Sequence, residues 1–135
     1  MEDLSYNEKI AVIRILQEII SADNIIRTKE VEYLSIVVET FDLDTNYQAD
    51  VENLRTLQAL STIRALSLPQ REMVVQLMGK MVIIDEDINY NEVKLYNDFC
   101  ESCNINKKFN TDDYPECRLS GPFINPEDLM NDNII

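Results

Sequence analysis

The chain has 135 residues, 45% of them apolar, which suits one domain with one buried core and argues against wholesale disorder. Its 25 Asp and Glu outnumber its 12 Lys and Arg, and the resulting charge of −13 repels phosphate backbones and anionic lipid while favouring cations and basic protein surfaces. Histidine is absent, which removes the commonest general base, the commonest metal ligand and every Ser/His or Cys/His nucleophile pair.

In chain order, Ile13, Leu16, Ile19 and Ile20 form one apolar seam at helical spacing, and Leu34, Val37, Val38 and Phe41 form a second. Leu54, Leu57, Leu60 and Ile63 form a third. Val74, Leu77, Met78, Met81 and Val82, with Met73 beside them, form a fourth; Val93, Tyr96, Phe99, Cys100 and Cys103 form a fifth. Ser5 with Glu8, Ser67 with Gln70, and Asn89 with Glu92 have capping-box spacing, and Pro69 suits a first helical turn. The pattern predicts helices at roughly 5–21, 28–41, 47–66, 69–84 and 90–103. After residue 106, Pro115, Pro122 and Pro126 among many Asn and Asp predict an irregular acidic tail over 107–135, with one short helix opening near Asn125. The expected fold class is an all-α, single-domain helical bundle over 1–106.

Residues 15–44 overlay residues 77–106 without a gap. Asp23 meets Asp85, Ile26 meets Ile88, Glu30 meets Glu92, Val31 meets Val93 and Glu39 meets Glu101, while the apolar positions coincide around them. Each unit thus reads as a helix, a turn carrying Asp, an Ile expected to plug the end of the core, and a second helix opening with Glu. Two such units predict a pseudo-symmetric bundle.

Paired Asp-x-x-Ile-x-x-x-Glu loops between helices, about 60 residues apart, resemble the TerB-like domain of tellurite-resistance proteins, a domain type found also at the front of some DnaJ-like co-chaperones. The loops here are Asp23-Asn24-Ile25-Ile26-Arg27-Thr28-Lys29-Glu30 and Asp85-Glu86-Asp87-Ile88-Asn89-Tyr90-Asn91-Glu92, and the resemblance covers roughly residues 8–106. It implies a small, acidic, non-enzymatic cytoplasmic module of a stress-response assembly. It also implies a divalent cation such as Ca²⁺ or Mg²⁺ held by Asp23, Glu30, Asp85 and Glu92, hard oxygen donors that suit such ions. The family has Gly after each Asp; here Asn24 and Glu86 stand there. Glu enters the left-handed region poorly, so the second loop is expected to be reshaped.

Against the ion stands a simpler account, in which each Asp fixes its turn and each Glu caps its helix. Neither Asp85–Tyr96 nor the turn at Asp42–Tyr47 has the Gly and terminal Glu of an EF-hand. Cys100 and Cys103, three apart near the end of a helix, read as core, as do Met73, Met78 and Met81, with Cys117 following. Three cysteines, no signal sequence after Met1 and no long apolar run predict reduced thiols in a cytoplasmic chain without membrane insertion. A protein partner is expected and nucleic acid is not. The alternative to the cation-binding module is an acidic adaptor without a metal, engaging a basic protein surface as a nucleic-acid mimic would. A metal-assisted hydrolase has little to support it, with no histidine and no Gly-rich phosphate loop.

Overall fold

Among the described residues six α-helices follow one another: α1 (Tyr6–Ile20), α2 (Thr28–Thr40), α3 (Tyr47–Asn53), α4 (Thr56–Arg64), α5 (Leu68–Ile83) and α6 (Tyr90–Ser102). The structure is a computed structural model and describes residues 3–120. Among these residues the fold is all-α apart from two three-residue strands, β1 (Asp87–Asn89) and β2 (Arg118–Ser120), which pair in parallel with Ile88 opposite Leu119. The helix expected near Asn125 lies outside the described residues.

The hub is α1. Ile10, Ala11, Val12, Ile13, Ile15, Leu16, Ile19 and Ile20 are all buried, so apolar side chains cover most of its circumference and other helices must surround it. It packs against α2, α3, α4, α5 and α6. From the opposite side α5 completes the core with Val74, Val75, Met78, Met81 and Val82, and Phe41, Tyr96 and Phe99 fill it from α2 and α6. Met73 packs at its margin, and Cys100 and Cys103 are buried within it, as their helical spacing predicts.

The repeat is carried in backbone detail. Shifting α2 by 62 residues (Asp23 to Asp85) reproduces the bounds of α6. Ser5 and Ser67 cap α1 and α5, each accepting from the N–H three residues on, with Glu8 and Gln70 reaching back to the cap N–H. The Lys9 ammonium donates to the carbonyl of Phe41 (2.9 Å), and Arg71 donates to those of Cys103 and Asn104 (3.3 and 3.1 Å). Each unit therefore uses a basic residue of its first helix to satisfy the C-terminal carbonyls of its second. Even the left-handed residues come in pairs: Asn24 with Glu86, and Asp42 with Asn104.

Glu86 corrects the expectation of a reshaped second loop. Its φ is 62°, as is that of Asn24, and both turns close alike: Asp23 accepts from Ile25 N–H (3.0 Å) and Asp85 from Asp87 N–H (3.1 Å). The turn geometry, held by these bonds and by Glu86 N–H on the carbonyl of Ile83 (2.9 Å), overrides the preference of Glu. Glu86→Gly is accordingly expected to raise stability by about 0.5–1 kcal/mol, the relief of the left-handed cost less the added chain entropy. Asn24→Gly should gain less, because Asn tolerates this conformation. Chemical denaturation of both variants checks the difference.

Other expectations are also corrected. The helix predicted over 47–66 is two, because Leu54 is extended (φ −87°, ψ 125°) and Arg55 N–H is taken by the Gln58 side chain at the start of α4. The break leaves Leu57 on the surface. Ile26 does not plug the core: it is 66% exposed, whereas its counterpart Ile88 is fully buried. The difference comes from the chain after residue 106. Phe109 meets Tyr96 edge-on and stacks on Tyr114 (centroids 5.3 and 5.4 Å), and its N–H donates to Asn97. This returns the chain so that β2 lies against β1, with Arg118 N–H on the carbonyl of Glu86. Among the described residues the first loop has no such strand.

Candidate functional site

Asp23, Glu30, Asp85 and Glu92, two from each unit, converge on the guanidinium of Arg27. Arg27 Nη1 lies 2.8 Å from Asp23 Oδ2, 3.7 Å from Glu92 Oε2 and 4.0 Å from Glu30 Oε1, while Nε lies 3.3 Å from Asp85 Oδ2. The planar fork of donors lets one side chain face both loops at once.

The local folds place each group. Asp23 and Asp85 sit at the two tight turns, each using one oxygen on its own backbone and presenting the other to Arg27. Glu30, in the first turn of α2, accepts from Arg27 N–H (3.2 Å), so its capping role and its place in the cluster coexist. Glu92 departs from its predicted capping role. Asn89 caps α6 through Asn91 N–H instead, and Glu92 turns inward, 1% exposed, with no protein donor on either oxygen.

Arg27 is the member the sequence argument passed over. Its counterpart in the second unit is Asn89, a good helix cap; an arginine at the cap position cannot accept a hydrogen bond and is free to reach across. That mismatch was legible at the 62-residue offset. Arg27 is 23% exposed, more than any of the four carboxylates, and so stands between the cluster and solvent.

Four carboxylates and one guanidinium leave excess negative charge in a largely buried place, and protonation relieves it. Burial, then the proton shared with Glu30 and the charges of Glu30, Asp23 and Asp85, push Glu92 up to about 10. Burial also raises Glu30, against its bonds with Glu92 and Arg27 N–H. Glu92 is therefore the neutral partner at pH 7, and its carboxyl proton links it to Glu30. Arg27 is held still more firmly charged by its bond to Asp23.

The sign of the pH dependence follows. Below the unfolded value near 4.3, Glu92 is protonated in both states and costs nothing. Above it the unfolded chain releases the proton and the folded one keeps it, so stability falls as pH rises, until the folded value near 10 is passed. Glu92→Gln keeps the shape and a donor for Glu30 without a proton to lose. It should be more stable than wild type by about 1–3 kcal/mol at pH 8, with the gain fading towards pH 4. Urea unfolding at pH 5 and 8 checks this; a variant less stable than wild type at pH 8 refutes it.

The donor chemistry of the quartet fits a hard divalent ion, and the buried Glu92 oxygens, which accept from no protein donor, are the kind of group such an ion satisfies. The arrangement itself is shaped around a guanidinium. Among the described residues no three Asp, Glu or Cys side chains are disposed to hold a metal ion. Cys100 and Cys103 are free, buried thiols, each pushed up by burial to about 11, and Cys103 Sγ lies 3.6 Å from the carbonyl of Leu60. Cys117 is free and half-buried. Among the described residues no helix is long and apolar enough to cross a membrane.

No protein-family model matches the chain, and no curated protein matches it. The fold is similar to the crystal structure of a protein of unknown function from Porphyromonas gingivalis W83, with a TM-score of 0.65 over 98% of this chain and 97% of that one, at 17% identity. At that identity the likeness establishes a shared fold along nearly the whole of both chains.

Proposed function

We propose that this chain is a cytoplasmic, non-enzymatic TerB-like helical module that works by binding another protein within a stress-response assembly. The observation that carries this is the pairing of a −13 charge with large apolar side chains left on the surface, among them Ile25 and Ile26 in the first loop and Ile36 on α2. Ile36, with Tyr33, Lys29, Glu32 and Ile84, lines a shallow groove between α2 and the end of α5. Such a surface suits a basic partner that also offers apolar side chains, with charge setting the approach and apolar contact the residence time. The free buried thiols of Cys100 and Cys103 support a reducing compartment.

A labelled cationic amphipathic helix of Leu and Lys is the probe, followed by fluorescence anisotropy from 50 to 500 mM NaCl. Binding that weakens with salt and is lost in Ile26→Asp and Ile36→Asp supports the proposal. Binding insensitive to both substitutions, or none at 50 mM salt, rejects it.

A second reading, binding of a divalent cation by Asp23, Glu30, Asp85 and Glu92, is favoured by their convergence and by the buried Glu92 oxygens, which accept from no protein donor. Calorimetric titration of metal-stripped protein with Ca²⁺, Mg²⁺, Mn²⁺ and Zn²⁺, beside the Asp23→Asn/Asp85→Asn variant, tests it.

A further inference from the structure

We infer that Arg27 is a built-in competitor for the cation centre: its guanidinium occupies the point where the four carboxylates meet, and a divalent ion enters only as the arginine leaves. The inference rests on the divalent-cation reading of the quartet and adds the residue that regulates it.

Three observations carry it. First, every carboxylate of the quartet faces Arg27 within 4.0 Å, so an ion and the guanidinium compete for the same oxygens. Second, one guanidinium does not saturate the cluster. Glu92 is 1% exposed and neither of its oxygens accepts from a protein donor, its own proton being turned to Glu30, and Asp87 Oδ1, next to the Asp85 turn, is buried and unpaired. A divalent ion takes six or more oxygens, carboxylate and water together, and draws on them more fully than one fork of N–H groups does. Third, Arg27 is the partly exposed member, on a long side chain rooted in a loop at the mouth of the cluster. It can swing outward without disturbing the core, while its charge remains solvated. Only the first unit carries this device, since the matching residue Asn89 is committed to capping α6.

The test is calorimetric titration of metal-stripped wild-type, Arg27→Gln and Arg27→Lys proteins with Ca²⁺ and Mn²⁺, each first shown to be helical and cooperatively folded. Arg27→Gln should bind at least tenfold more tightly than wild type. Arg27→Lys keeps the charge but loses the fork that spans both loops, and should fall between; it carries the test if the Gln variant does not fold. Adding Asp23→Asn to Arg27→Gln should abolish the gain, which places the ion at the quartet. Equal affinity in wild type and Arg27→Gln overturns the competition while leaving the divalent-cation reading standing. No binding in any variant overturns both.

Discussion

Arg27→Ala is expected to destabilise the protein by about 2–4 kcal/mol near pH 8, although the residue lies at the surface end of its cluster. The loss does not come from a single salt bridge. Removing the guanidinium leaves Asp23, Asp85 and the Glu30–Glu92 pair facing one another across two loops with no positive group between them. Uncompensated charge in a buried place costs more than the pair contributes when intact. The 23% exposure of Arg27 keeps the estimate below that for a fully buried ion. The carboxylates can also relieve the repulsion by taking up protons, so the loss should shrink at pH 5. Urea unfolding of both proteins at the two pH values gives the comparison. A variant as stable as wild type at pH 8 would show that the quartet does not need its cation.

Ile88→Ala is expected to cost about 2–4 kcal/mol, and Ile26→Ala under about 0.5 kcal/mol, although the two residues hold equivalent places in the repeat. Ile88, in β1 opposite Leu119, is fully buried, and truncation leaves a cavity there. Ile26 is largely in solvent. Comparable losses in both would mean that the first loop closes over Ile26 in solution. The pair also separates stability from interaction, since Ile26 belongs to the surface proposed to meet a partner and Ile88 does not.

Much of this was visible in the residues themselves. Apolar periodicity and caps placed four of the six described α-helices to within about two residues, because an amphipathic helix declares its buried face and its ends locally. The 62-residue offset singled out Asp23, Glu30, Asp85 and Glu92, and the structure brings these four together. It also holds a clue that pattern reasoning passed over, Arg27 where the second unit has Asn89.

Other features depended on groups distant in the chain. The helix break at Leu54–Arg55 has no Gly or Pro to announce it; α3 and α4 each pack on α1, and that packing sets where one ends and the other begins. The opposite fates of Ile26 and Ile88 depend on Phe109, Tyr114 and β2 returning to the second loop. The left-handed Glu86 is set by the turn around it. The sequence by itself determined the helical class, the repeat and the four carboxylates, since these follow from local spacing and from identity at a fixed offset. Only the tertiary structure decided that the four face an arginine and that Glu92 keeps its proton, because charge balance and burial depend on which groups the fold brings within a few ångströms.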